Sequence, residues 1–305
     1  MRLPAHVAAT LLAVAALGCH SPCCFARLLL DTPLDTLDVA CMIVDGRQAS
    51  RNNCSKQLLV STTCVESWPV EREHLMQTLV ACPAGRQGMC TDFTVRWCDN
   101  SVYPAKGGCY RSEYAQASLM SYDEYWFGFS LLLPHNYSVN VGSIHFQIHG
   151  NPNSEVHEQH RNPMFSLLTD PKSGGNWKML ARGDARRNIS KVNRSYEWSH
   201  SADLGAVRLG QWEHFVYHTR YTYEADGFIE LWRNGKQLVS INNTGTAYND
   251  HKPPYFKFGI YSSSWGTAAE PPPQGESTNV VLFGGLKQGD SSSSYDEVDT
   301  SHGGE

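Results

Sequence analysis

The chain of 305 residues is predicted to fold as an all-β, two-sheet jelly-roll sandwich with one sheet curved into a groove. From Cys109 onward, short segments of alternating or aromatic character follow one another, as strands of a sandwich do. Tight turns separate them. Asn234-Gly235 favours a two-residue hairpin because both of its central residues need positive φ. Almost no segment repeats at the helical period of about 3.6 residues.

Residues 1–26 are predicted to be a secretory signal peptide. Arg2 precedes an apolar run over Val7–Leu17, and small residues follow it. The run is too short to cross a membrane, and no later apolar stretch reaches about 18 residues. Cleavage after Ala26 and cleavage after Gly18 both fit. We therefore expect a secreted, extracellular protein that does not act at a membrane.

Residues 27–107 are expected to form a cysteine-rich segment that packs on the main domain or is part of it. All 10 cysteines precede residue 110, and none form the close pairs of a zinc site. In an exported protein they indicate three or more disulfides whose pairing the spacing leaves open. A short helical segment is expected over Leu75–Val80. If cleavage follows Ala26, the remaining cysteines are Cys41, Cys54, Cys64, Cys82, Cys90, Cys98 and Cys109.

Glycosylation sequons agree with export through a eukaryotic secretory route. Each has an asparagine two residues before Ser or Thr, the pattern of an N-glycosylation acceptor. They are Asn53, Asn136, Asn188, Asn193 and Asn242.

Residues 108–287 are predicted to be the jelly-roll domain. A polar, basic stretch ending at Tyr196 is assigned no strand. Residues 288–305 are rich in Ser, Gly and acidic side chains and are expected to be a disordered tail. Strands are predicted over Cys109–Ala115, Tyr125–Leu133, His145–His149, Pro163–Leu168, Trp212–Tyr223, Phe228–Arg233, Lys236–Ile241, Tyr255–Ser262 and Thr278–Phe283.

The overall charge restricts the kinds of partner. A formal net charge of −5, without a basic stretch interleaved with aromatic residues, argues against nucleic acid. It also argues mildly against a densely sulfated substrate, which would favour a strongly cationic groove.

The stretch Ser143–Gly150 alternates strictly between apolar and polar residues. Ile144, Phe146 and Ile148 would face the core, while the other face presents imidazole, amide and imidazole groups about 6–7 Å apart. A single histidine there would most often belong to an exposed polar face. Three groups in a row that can exchange protons or donate hydrogen bonds favour a site, formed by His145, Gln147 and His149.

The stretch Tyr255–Tyr261 alternates in the same way. Its polar face carries Tyr255, Lys257 and Tyr261, and Gly259 is expected to leave a gap where another group approaches closely. Lys257 and Tyr261 would lie about 13 Å apart along the strand, so they would line one groove at different depths. Tyrosine and lysine on an exposed strand face also occur without any function.

Arg111-Ser-Glu113 is the third polar element. An arginine can bind a carboxylate through two parallel hydrogen bonds, and Glu113 would lie beside Arg111 or anchor it. A surface ion pair is the simpler interpretation of this element taken alone.

Together these elements resemble the jelly-roll polysaccharide lyases of the concanavalin A-like fold. Arg111-Ser-Glu113, Gln147-Ile-His149 and Tyr255-Phe-Lys-Phe-Gly-Ile-Tyr261 occur in the order found in alginate lyases with Arg-x-Glu, Gln-Ile-His and Tyr-Phe-Lys-x-Gly motifs. Trp126-Phe-Gly-Phe-Ser-Leu and Asp226-Gly-Phe-Ile-Glu-Leu-Trp232 make the heparin lyase I and glucuronan lyase group closer still. The resemblance covers about residues 108–285.

The resemblance implies β-elimination at a uronic acid of an acidic polysaccharide such as glucuronan or alginate. Gln147 and Arg111 would contact the carboxylate, and Lys257 would bind an acidic sugar or lower the pKa of a phenol. His149 would be base or neutraliser and Tyr261 the acid, or both acid and base. No organic cofactor is implied, and calcium in parts of the family would be structural. The implied catalytic residues are His149, Tyr261 and Gln147; the implied substrate-binding residues are Arg111, Glu113, His145, Lys257 and Tyr255.

Two other functions fit the same fold. A glycoside hydrolase needs two carboxylates across the bond, and Glu155 and Glu158 in a loop make a poor pair. A lectin-like module without catalysis could use tryptophans for stacking, but it would need no proton-transfer pair. His157 and His160 suggest a metal site only weakly, and a solvated loop is the simpler interpretation.

Overall fold

Two antiparallel sheets make up the computed structural model of the protein, and the predicted all-β jelly-roll sandwich is confirmed. The structure describes residues 28–32, 58–61, 75–86, 89–97, 110–116, 120–187, 196–267 and 277–301. In the parts of the chain so described, no helix is long and apolar enough to cross a membrane.

The strands are short and separated by turns. In chain order they are β1 Leu28–Thr32, β2 Leu58–Ser61, β3 Leu75–Ala81, β4 Met89–Arg96, β5 Arg111–Gln116, β6 Glu124–Leu132, β7 Ser143–Asn151, β8 Phe165–Asp170, β9 Asn176–Gly183, β10 Trp198–Ala206, β11 Trp212–Arg220, β12 Gly227–Arg233, β13 Lys236–Thr244, β14 Lys252–Tyr261 and β15 Thr278–Asp290.

The order of strands differs from their order in the chain. The seven-stranded sheet runs β10-β9-β8-β7-β14-β5-β2. The eight-stranded sheet runs β13-β12-β11-β6-β15-β4-β3, with β1 also paired to β15. Three segments far apart in sequence, β7, β14 and β5, therefore lie side by side.

Aromatic side chains fill the space between the sheets. Phe146 of β7 lies with its ring centroid 5.4 Å from that of Phe127 and 4.7 Å from that of Phe129, both on β6 of the opposite sheet. Phe93 of β4 likewise meets Phe258 of β14 at 5.7 Å. All five rings are fully buried. The apolar faces predicted for β7 and β14 are thus held against this core.

Most predicted strands are present, with two kinds of error. Residues 75–80, expected to be helical, form strand β3 and pair with β4 along their whole length. Strands β9 and β10 were missed in the polar stretch before residue 212. Both errors arise where pairing with a neighbouring strand overrides a weak local pattern. The hairpin at Asn234-Gly235 has the expected positive φ values of 51° and 79°.

Part of the cysteine-rich segment belongs to the two sheets. Strands β3 and β4 lie in the eight-stranded sheet, and a disulfide between Cys82 and Cys90 joins the residues that flank their connection. The other predicted disulfide cysteines lie outside the described residues, as does the predicted signal peptide at 1–26.

The expectation of a disordered tail from residue 288 is wrong up to residue 301. Strand β15 continues to residue 290, and a helical turn follows at Tyr295–Val298. Val298 is fully buried against Gly128, whose missing side chain leaves room for it. Thr300 Oγ1 lies 2.6 Å from the Ser130 hydroxyl oxygen, within hydrogen-bonding distance. Tertiary contacts therefore order a segment whose composition alone is typical of disorder.

Candidate active site

Most of the residues singled out by the sequence lie on β5, β14 and β7, three neighbouring strands of the seven-stranded sheet. Their outer face, turned away from the core, is called the site face below. Strand register brings the residues together in cross-strand pairs. These are Arg111 with Tyr261, Gln147 with Lys257, and His149 with Tyr255.

Glu113 connects several of these groups. Its side chain is 1% exposed, and a buried carboxylate needs partners. One oxygen accepts a hydrogen bond from the Gln147 amide, and the other lies 3.2 Å from Arg111 Nε. Because a carboxylate only accepts, the NH₂ end of the Gln147 amide must face Glu113, and this sets the orientation of the whole amide. The second N–H of that amide can serve a bound anion.

Arg111 also contacts Tyr261. The guanidinium carbon lies 4.1 Å from the centroid of the phenol ring, in cation–π geometry. Arg111 is half-buried and its guanidinium is held between the Tyr261 ring and the Glu113 carboxylate. These contacts connect the tyrosine at the end of β14 to the charged network on β5.

His149 is held in a defined protonation state. Its Nδ1 lies 3.1 Å from the carbonyl oxygen of Gly150. A carbonyl oxygen can only accept, so Nδ1 carries the proton and Nε2 keeps its lone pair. Burial lowers the pKa of His149 to about 4, and the nearby charges of Lys257, His160 and Arg111 contribute in the same direction. The imidazole is therefore neutral near pH 7.

Lys257 and Tyr255 lie next to this imidazole. The Tyr255 ring stacks on His149 with the centroids 5.8 Å apart, and Lys257 Nζ lies 5.5 Å from the Tyr255 ring centroid. Burial lowers the pKa of Lys257, and burial raises the pKa of Tyr255. Lys257 is only 7% exposed, so its ammonium group has little contact with water. A buried charge needs a partner, and an anion that approaches the site face could supply one.

Comparison with known proteins identifies the family. The family model described as "Polysaccharide lyase" matches residues 71–287. The chain belongs to this polysaccharide lyase family. No curated protein sequence is significantly similar to it.

Solved structures of lyases resemble this one to different degrees. An endo-β-1,4-glucuronan lyase from the fungus Trichoderma reesei is 15% identical, with a TM-score of 0.60, covering 74% of this chain and 90% of that chain. Alginate lyase A1-II′, a member of polysaccharide lyase family 7, is 14% identical with a TM-score of 0.45, over 70% of this chain and 84% of that chain. Alginate lyase AlyC3 is 13% identical with a TM-score of 0.44, over 65% and 74%.

His145 does not join the other residues on the site face of the lyase. Strand β7 bulges here, because Ile144 pairs with Leu168 while Phe146 pairs with Leu167, so that His145 is an extra residue. Its side chain is fully buried. The ring packs edge-on against Trp177 with the centroids 5.3 Å apart. The predicted row of three polar groups is therefore interrupted, and His145 has no exposed surface for a substrate.

Further contacts occupy His145 inside the core. Its Nε2 lies 3.2 Å from the hydroxyl of Tyr137, within hydrogen-bonding distance. Burial lowers the pKa of His145 to about 3, so the ring is neutral at ordinary pH. These contacts assign His145 to the packing between the sheets.

Gly259 is required for a different reason from the one expected. Its φ is 136°, and a Cβ built there would collide with the carbonyl oxygen of Ser112 and lie 2.8 Å from the Cα of Glu113. The missing side chain thus leaves no gap for a ligand on the site face. It lets the backbone of β5 pack directly against β14, which places Glu113 within reach of Gln147.

His160 is a neighbour of the site that the sequence pattern did not identify. Its ring lies 6.3 Å from that of His149, in edge-to-face orientation. The sequence suggests His160 only as a weak metal ligand. A local pattern does not show which strand a loop residue will approach. Among the described residues, no group of three His, Cys, Asp or Glu side chains is placed to hold a metal ion.

A buried ionic cluster fixes the loop that carries His160. Arg161 is ion-paired with Asp250, and its Nη atoms lie 3.7 Å from a Glu158 oxygen and 3.8 Å from an Asp184 oxygen. Its guanidinium also lies 3.9 Å from the centroid of the Tyr248 ring. These contacts join the loop to the C-terminal end of β9 and to the segment before β14.

Proposed function

We propose that this lyase cleaves an unsulfated polyuronate by β-elimination. In that reaction the C5–H bond and the bond between C4 and the glycosidic oxygen break, and a C4–C5 double bond forms. The base gains the C5 proton, and the acid gives a proton to the departing sugar oxygen. Both return to their starting states by proton exchange with water.

Neutralising the sugar carboxylate makes the C5 proton removable. Arg111 and the free N–H of Gln147 would bind the carboxylate, and Lys257 would add a positive charge from the neighbouring strand. Fixed donors of this kind stabilise the enolate-like charge that develops in the transition state. Glu113 holds the first two groups in place without facing the substrate.

The state of His149 is the observation that carries the proposal. A proton on Nδ1 leaves Nε2 free to accept, and the lowered pKa keeps the ring neutral over the pH range in which enzymes usually work. A neutral imidazole cannot neutralise a carboxylate by charge. We therefore assign His149 as the base, and leave the neutralisation of charge to Arg111 and Lys257.

Tyr261 is assigned as the acid. When the phenol gives its proton to the leaving oxygen, a phenolate forms, and the Arg111 guanidinium 4.1 Å from the ring centroid faces that charge. The same cation would thus assist both the carboxylate and the acid.

The charges on the site face support an unsulfated uronate as substrate. The total formal charge is −5, but Arg111 and Lys257 concentrate positive charge beside His149. A site with few cations suits a polymer with one carboxylate per sugar better than a densely sulfated polymer. The fold shared with a glucuronan lyase makes glucuronan the first polymer to test, followed by alginate.

Ultraviolet absorbance tests the reaction directly, because elimination leaves a double bond conjugated to the carboxylate, which hydrolysis cannot produce. The protein is mixed with glucuronan, alginate, pectate, hyaluronan and heparin. We expect absorbance to rise with an unsulfated polyuronate, and to be lost in His149→Ala and Tyr261→Phe.

Matched controls are His135→Ala and Tyr295→Phe, which remove the same groups away from the site face. Both should keep the activity. New reducing ends without absorbance would overturn the elimination, and loss of activity in both controls would overturn the assigned roles.

We also propose that the protein is secreted and N-glycosylated. The sequons at Asn136 and Asn242 are exposed and so are accessible to a glycosyltransferase. Expression in a eukaryotic secretory host should release a protein whose mass falls on enzymatic deglycosylation.

The proposed chemistry needs no organic cofactor, since side chains supply every proton transfer. Any bound calcium would then be structural, so a chelator should lower stability more than kcat.

A further inference from the structure

We propose that Arg182 forms a second carboxylate-binding subsite on the site face, for a uronic sugar next to the one that reacts at His149. The inference rests on the proposed polyuronate substrate and extends it. It adds a determinant of substrate choice on β9, a strand that the sequence motifs do not reach.

Backbone hydrogen bonds place Arg182 in line with His149. The N–H of Met164 donates to the Ile148 carbonyl at 2.8 Å, and the N–H of Arg182 donates to the Met164 carbonyl at 2.7 Å. Strands in a sheet are about 4.8 Å apart, so the Cα atoms of His149 and Arg182 are separated by about 10 Å. Ile148 and Ala181 are buried in the core, so the residue after each lies on the outward side.

The residue between the two, just before β8, has a buried side chain. Met164, which lies between His149 and Arg182 in the backbone ladder, is fully buried within the hydrophobic core. A Cβ added at Gly150 would lie 3.1 Å from the Met164 Cε, so the end of the Met164 side chain packs close to the Gly150 backbone. A polysaccharide lying across the strands could therefore pass from the base to the guanidinium over backbone.

The guanidinium of Arg182 is already held in place. One of its Nη groups donates to the Pro163 carbonyl at 2.9 Å, and the guanidinium carbon lies 5.5 Å from the Tyr196 ring centroid. Tyr196 stacks in turn on Tyr248, which contacts Arg161. A side chain ordered before binding loses little entropy when a ligand arrives, and arginine retains further N–H donors for it.

The charge of Arg182 has no anionic partner within the described part of the chain, where no ion pair includes it. Lys178, four residues earlier on the same face of β9, is by contrast paired with Asp170 at 2.8 Å. An ordered and half-exposed arginine without a carboxylate suits the planar carboxylate of a substrate.

Binding of defined oligosaccharides tests the subsite separately from catalysis. Isothermal titration calorimetry measures the Kd of the full-length Tyr261→Phe protein for glucuronan and alginate hexasaccharides. Each hexasaccharide is used in native form and after reduction of its carboxyl groups. Adding Arg182→Gln should raise Kd for the native form about 10- to 100-fold, the usual effect of losing a charged hydrogen bond. Arg182→Lys should fall in between.

The reduced form should bind equally with and without Arg182. Lys236→Gln, which removes an exposed cation from the opposite sheet, should change neither Kd. Equal binding of the native form to both proteins would overturn the subsite. An equal loss for native and reduced forms would also overturn it, because that would show a merely structural role.

The two proposals fail in distinguishable ways. If Arg182 affects binding of the native form as expected, but the protein with Tyr261 intact never produces the ultraviolet signal, the elimination fails and the subsite stands. If neither hexasaccharide binds in its native form, both proposals are overturned.

Discussion

Gln147 and Glu113 lie on strands that are not neighbours, since β14 runs between them, and yet the amide of one donates a hydrogen bond to the carboxylate of the other. This contact depends on the close approach of β5 to β14 at Gly259. It joins the carboxylate-binding groups of two strands into one unit. Its consequences can be measured in the lyase.

Replacement of Glu113 by glutamine tests the role of this contact. Glu113→Gln keeps the shape but removes the charge that orients Gln147 and pairs with Arg111. We expect kcat to fall about 10- to 100-fold with a smaller change in KM. Misplaced hydrogen-bond donors reduce the stabilisation of the transition state more than they reduce the binding of the substrate. The control is Glu224→Gln, an exposed carboxylate far from the network. A KM effect alone would argue against a positioning role.

The pH dependence of kcat/KM tests the protonation state of His149. Its pKa is lowered to about 4, and Nε2 accepts a proton only while the ring is neutral. Activity should therefore persist below pH 6.5 and be lost as pH falls through about 4. Lys257→Met removes one of the charges that lower this pKa, so the acid limb should move up toward 6.5. A limb near 6.5 in both proteins would contradict the assignment.

His145→Leu separates packing from substrate binding. The burial that lowers the pKa of His145 to about 3 means that the unfolded chain binds a proton more readily between pH 6.5 and 3. Stability should thus fall as pH falls through this window, and the variant should be less sensitive to acid. Its activity should stay within about twofold of the parent near pH 7, as measured beside urea unfolding at several pH values. A large loss of activity in a folded variant would restore His145 to the site.

Gly259→Ala tests the close approach of β5 and β14. The new Cβ would collide with the Ser112 carbonyl in a backbone conformation that L-residues rarely adopt. We expect the free energy of unfolding to drop by about 2–4 kcal/mol, with a loss of activity. Gly235→Ala is the matched control, because it has positive φ but nothing within 4 Å of its Cβ. It should cost about 1 kcal/mol and spare activity.

Several features of this protein could be predicted from local sequence. The alternation of apolar and polar residues predicted which faces of β7 and β14 are buried, beginning at Phe146 and Phe256. It does so because side chains along a strand change sides with period two. Asn234-Gly235 predicted its hairpin, since few other residue pairs tolerate two positive φ values. The motifs containing Arg111, Gln147 and Tyr261 predicted the family, which the family comparison confirmed.

Only the tertiary structure decided what depends on other strands. The bulge at His145 follows from the pairing of β7 with β8, and the order of residues 291–301 follows from the packing of Val298 against Gly128. The pKa of His149 depends on burial and on the charges of Arg111 on β5 and Lys257 on β14. Arg182 reaches the site face through a strand that the sequence did not predict. Burial and charge act through space between segments far apart in the chain, so no local pattern contains them.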